Sequence, residues 1–106
     1  MDILYNVMTM IRKRPNLYLG ETSLIRLDLF LSGYEYRQNE IDPDYETIIP
    51  DMPEFNEFVS RKFGCDIGTK SPSVIILEHT KSDEEAFHKY FELLDQYFIE
   101  NDIQVD

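Results

Sequence analysis

The run from Ser82 to Glu100 most constrains what this chain can fold into. Phe87, Tyr90, Phe91, Leu94 and Phe98 recur at intervals of three and four residues, which gathers them into one aromatic stripe of a helix. Ser82 and Glu85 stand as an S-x-x-E capping box at its start. The stripe is core before it is anything else, and the other amphipathic segments are read as its cover. From Asp2 to Arg14, Ile3, Leu4, Val7, Met8 and Ile11 share one helical face. Arg12, Lys13 and Arg14 then favour the negative helix end, and Pro15 stops it. The loop Asn16 to Glu21 leads to Thr22 or Ser23, caps for a helix carrying Leu24, Leu27, Phe30, Leu31 and Tyr34 to about Gln38.

Pro43, Pro50 and Pro53 among acids make residues 39 to 53 a connector. Asp51 precedes a helix with Met52, Phe55, Phe58, Val59 and Phe63, and Gly64 provides a left-handed stop. Val74 to Leu77 is a β-branched run that suits a buried strand or a short helix; Ser71 as cap with Pro72 at the first helical position tips it toward helix. The expected fold is all-α, a single domain over residues 1–106 with four or five helices. Its expected core holds Ile3, Val7, Ile11, Leu27, Phe30, Phe58, Phe87, Phe91, Leu94 and Phe98. The alternative is α+β, with a small sheet from residues 47–49 and 74–77.

Composition bounds function. The chain has 106 residues, 42% hydrophobic, with seven Phe and seven Tyr, enough large side chains to offset the ordering entropy of one domain. Cys65 is the single cysteine, so no internal disulfide forms, and its expected role is that of a small packed side chain. Met1 is followed by Asp2 and no apolar run exceeds five residues, so the expectation is a cytoplasmic protein without a leader or a membrane span. The net charge is -11, which disfavours free nucleic acid and anionic membrane as partners. All of that excess lies beyond residue 40. Between Arg37 and Arg61 no base occurs, yet Glu40, Asp42, Asp44, Glu46, Asp51, Glu54 and Glu57 do. These seven acids are the expected partner-binding residues, on a segment whose prolines limit the entropy lost on docking.

The inventory for catalysis is poor: His79 and His88 are the two histidines, and neither has a Ser or Cys neighbour in sequence. Glu84, His88 and Glu92 share a helix face but read as solvated surface. Asp42, Asp44 and Glu46 alternate like calcium-loop ligands, but Thr47 and Pro53 stand where that loop needs Gly and a bidentate Glu. No catalytic residue, metal or cofactor is expected. The stretch IRKRPNLYLG, Ile11 to Gly20, resembles the RPGMYIG-type element of gyrase-type ATPase domains, but no G-x-G phosphate loop follows, so nucleotide binding is not expected.

A resemblance covering more of the chain runs through RPNLYLG, SLIRLDLFLSGYEY, FNEFVSRKFG and DEEAFHKYFELLDQYF. This order resembles a family of small acidic bacterial proteins found among the cognate immunity proteins of polymorphic or contact-dependent toxins. It departs from that pattern in having no tryptophan near Ser73 to Ile75. The resemblance implies a toxin-neutralising immunity protein whose acidic surface meets a basic cognate toxin, of nuclease type. It carries no catalytic residues with it. The alternative of the same composition is an acidic adaptor or regulatory module for another basic protein.

Overall fold

A computed structural model describes residues 2–68 and 70–105, which form six helices and, among the described residues, no strand. Five of the six helices begin where a short polar side chain satisfies an orphan amide. Asp2 accepts from the Tyr5 amide at 2.8 Å and opens α1, Ile3–Lys13. Arg12 and Lys13 occupy its last turn, where they favour the negative end of the dipole. Ser23 opens α3, Leu24–Ile41; Asp51 opens α4, Met52–Phe63; Ser71 opens α5, Pro72–Glu78; Ser82 opens α6, Asp83–Glu100. Gly64 closes α4 with φ 69°, a left-handed stop. The capping box is shifted by one residue: Ser82 accepts from the Glu85 amide, while the Glu85 carboxylate accepts from the amide of Lys81 instead of Ser82.

The helix beyond the expected four or five is α2, Pro15–Leu19, in the segment read as a loop. Pro15 does end α1, but its fixed φ also suits the first position of a new helix, and here it serves as both stop and start. Gly20 ends this turn at φ 86°. A Cβ there would lie 2.5 Å from Arg26 Nη1, which donates to the Leu19 carbonyl at 2.7 Å.

The all-α expectation holds, and the small sheet of residues 47–49 and 74–77 does not form. The Ile48 amide donates to the Asp2 carboxylate at 2.7 Å and the Ile49 amide to the Thr47 hydroxyl at 3.3 Å, so these donors are satisfied without a strand partner. Val74 to Leu77 is helical, with Ile75 and Ile76 buried and Val74 exposed.

The core gathers on α6. Ala86, Phe87, Tyr90, Phe91, Leu93, Leu94 and Phe98 are buried there, against Leu4, Met8 and Ile11 of α1, Leu24 and Leu27 of α3, Phe55, Phe58 and Val59 of α4, and Ile75 and Ile76 of α5. Edge-on pairs such as Phe55 with Tyr90, at 5.4 Å, and Phe58 with Tyr97, at 5.3 Å, join α4 to α6. Of the expected core, Ile3 is a correction, since it is 63% exposed, and Val7 and Phe30 are only partly buried. The buried line on α1 runs Leu4, Met8, Ile11, one residue around the helix from the line Ile3, Val7. Arg12 fixes α1 on α6 through a two-pronged bond to Asp95, at 3.0 and 2.9 Å, with its guanidinium 5.2 Å from the Phe91 ring. Among the described residues, no helix is long and apolar enough to cross a membrane.

Candidate functional site

The second half of α3 extends past the fully buried Leu24 and Leu27, and this overhang makes one wall of a cleft. Asp28, Leu31, Ser32, Glu35 and Tyr36 lie on that wall. Ile49 to Met52 of the connector form the second wall, Phe55 of α4 and Tyr90 of α6 lie with them, and Pro72 and Ser73 of α5 close the end. Its volume is about 360 Å³, within the ~300–1,000 Å³ typical of small-ligand sites. The lining is apolar except for three carboxylates, Asp28, Glu35 and Asp51, and the hydroxyls of Ser32, Tyr36, Ser73 and Tyr90. It contains no Lys, Arg or His.

These polar groups differ in how well they are satisfied. Asp28 accepts from the Ser73 hydroxyl at 3.0 Å, and Asp51 from the Glu54 amide at 3.1 Å. Glu35 meets neither a cation nor a hydrogen-bond donor among the described residues. Burial and then the negative charge of Asp51 raise its pKa above the ordinary value of 4.5. Tyr90 is only 6% exposed, yet its hydroxyl also has no hydrogen-bond partner among the described residues. Burial, and after it the charges of Asp28 and Glu35, raise its pKa.

A second, shallower depression of about 650 Å³ adjoins the connector, lined by Asp2, Ile3, Gln38, Asp42, Asp44, Tyr45, Glu46, Thr47 and Ile48. It too lacks a basic side chain. The seven acids expected to bind a partner are thereby divided. Asp42, Asp44 and Glu46 line this depression, with Asp42 accepting from the Asp44 amide at 3.0 Å. Asp51 lines the cleft. Glu54 accepts from the Tyr97 hydroxyl at 3.2 Å. Glu40 and Glu57, at the two ends of the stretch, are paired with Arg37 at 3.3 Å and Arg61 at 2.7 Å. Asp28 and Glu35 join the acidic face although they belong to the charge-balanced first part of the chain. The sequence signal for the pair is their spacing of seven, which puts both on one face of α3.

Two histidine readings meet different outcomes. Glu84, His88 and Glu92 are all exposed, and Glu92 pairs with Lys89. Among the described residues no group of three or more His, Cys, Asp and Glu could hold a metal ion. His79, however, gains a neighbour that the sequence separates from it by 14 positions: Cys65 Sγ lies 3.6 Å from His79 Nε2. The other ring nitrogen, Nδ1, is 2.8 Å from the Ile75 carbonyl, to which it donates, so Nε2 is left to accept from the thiol. The ring stacks on Phe63 at 4.5 Å. Cys65 is thus half-buried against a base as well as packed, but neither residue lines the cleft.

No protein-family model, curated protein or solved structure matches the chain.

Proposed function

We propose that this chain is a toxin-neutralising immunity protein that binds a cognate bacterial toxin, of nuclease type, through the face formed by the connector and the overhang of α3. The observation that carries the reading is the absence of basic side chains from both depressions, against seven acids of their linings: Asp2, Asp28, Glu35, Asp42, Asp44, Glu46 and Asp51. Uncompensated negative potential over shaped, partly apolar surface favours fast encounter with a basic groove and disfavours partners of like charge. The resemblance of the RPNLYLG, SLIRLDLFLSGYEY, FNEFVSRKFG and DEEAFHKYFELLDQYF order to immunity-type proteins supports the same reading. An immunity protein acts by occupying its toxin's active site or an adjacent surface, so it needs complementarity and no catalytic group of its own.

Affinity capture from the native host with the tagged chain, followed by mass spectrometry and titration of the captured protein's activity, tests this. The expected result is a basic toxin domain whose nuclease activity falls to zero at one equivalent of this chain. A captured partner that is not toxic, or a toxin whose activity is unaffected at saturation, contradicts it.

A further inference from the structure

The cleft between α3, the connector and Tyr90 has a chemistry more specific than negative charge. Its walls of Leu31, Ile49, Met52 and Phe55 suit a hydrocarbon stem, while its polar side chains are carboxylates and hydroxyls. Glu35 and Tyr90 are the less exposed of its groups without protein partners, the Tyr90 side chain being more than nine-tenths buried. The hydroxyl of an otherwise buried ring and a half-buried carboxylate thus present free acceptor oxygens to the cleft, which a donor entering it can engage. A cationic donor is favoured, because Asp28, Glu35 and Asp51 line the cleft with no positive group among the lining residues. A hard metal ion would need a shell of oxygens, and the apolar walls do not supply it. A guanidinium is more weakly hydrated than an ammonium, presents five N–H donors in a plane, and stacks against aromatic rings such as Phe55 and Tyr90.

We propose that this cleft receives an arginine side chain of the protein partner, its guanidinium donating to Glu35, Asp51 and the Tyr90 oxygen and its stem lying along Leu31 and Phe55. The proposal rests on the reading of the chain as a binder of a basic protein, and it names the anchor of that interface. Such an anchor, a planar cation in a partly desolvated pocket ringed by weaker contacts, is how binding energy is ordinarily concentrated at an interface. Its pairing with Glu35 favours the ionised carboxylate, so binding weakens as pH falls through the raised range of Glu35, which faces Asp51, Asp28 and Tyr90.

The test uses the whole chain and a small probe, N-acetyl-arginine N-methylamide, followed by NMR at the Tyr90 ring and the Ser73 amide. Saturable shifts at both are expected in the millimolar range, with no response to the uncharged isostere N-acetyl-citrulline N-methylamide. Glu35→Gln is expected to weaken the probe about tenfold. Asp51→Asn, which retains an N-cap side chain for α4, serves as the second variant and is expected to weaken it in the same direction. Equal binding of arginine and citrulline probes, shifts confined to other residues, or tighter binding of spermidine than of the arginine probe would overturn the proposal, the last by making the ligand a free polyamine. No toxin enters this assay. Probe binding without toxin capture therefore sinks the immunity reading alone, and toxin inhibition without probe binding sinks the arginine cleft alone.

Discussion

Tyr90 is held edge-on by Phe55 at 5.4 Å and by Phe91 at 5.6 Å, so its ring is fixed by packing while its hydroxyl faces the cleft without a partner. Removing that hydroxyl deletes no hydrogen bond. Tyr90→Phe is therefore expected to change the unfolding free energy by less than about 0.5 kcal/mol, despite the burial of the residue. A loss of about 1.5 kcal/mol or more in urea unfolding would mean that the hydroxyl is bonded within the fold. At Glu35 the sign follows from the raised pKa: the folded chain keeps this proton to higher pH than the unfolded chain does. Wild-type stability accordingly falls as pH rises from about 4.5 through the raised value, and the deficit persists at pH 7. Glu35→Gln is expected to be more stable than wild type at neutral pH and equal to it below that window. Parallel stability–pH curves for the two proteins would contradict this.

Helix starts were legible in the sequence because a cap is a local event: Ser23, Asp51, Ser71 and Ser82 each accept from an amide three residues on, as their types and positions indicate. What was not legible came from elements meeting. Pro15 reads as a stop, and only the docked chain shows that it also starts α2. Asp83 reads as a first-turn acid of α6, yet it accepts from the Ser23 hydroxyl and from the Ile25 amide at 3.1 Å, so α6 caps α3. Cys65 and His79, and the three carboxylates of the cleft, likewise meet only after the helices pack. The tertiary cap at Asp2 is the sharpest case: one carboxylate serves the Tyr5 amide of α1 and the Thr47 and Ile48 groups of the connector. Asp2→Ala is expected to cost about 2 kcal/mol and to speed hydrogen exchange at the Ile48 amide. Unchanged exchange there would show that the connector is held by other contacts. Phe91→Ala, at the centre of the α6 stripe and beneath Arg12, is expected to cost about 3–5 kcal/mol by urea unfolding, and a near-zero change would place Phe91 outside the core.

Among the described residues, seven ion pairs tie most of the few cations to acids, and Glu40 and Glu57 are among the acids so paired. Of the acids outside these pairs, Asp2, Asp28, Glu35, Asp42, Asp44, Glu46 and Asp51 line the connector depression and the cleft. If that face meets a basic toxin, its charges govern the encounter rate, with a reach that shrinks from ~30 Å at about 0.01 M salt to ~8 Å at about 0.15 M. The choice of control matters, because Asp83 and Glu85 hold helix termini; Asp66, Glu84 and Glu92 are exposed acids outside both depressions. The decisive measurement is the stopped-flow association rate of the captured toxin with the variant Asp42→Asn, Asp44→Asn, Glu46→Gln, set against Asp66→Asn, Glu84→Gln, Glu92→Gln, across that salt range. The account predicts that the first variant associates more slowly than the second, most of all at low salt, with the difference fading as salt rises. Equal rates for the two variants would show that net charge alone steers association and would contradict the placement of the partner on this face.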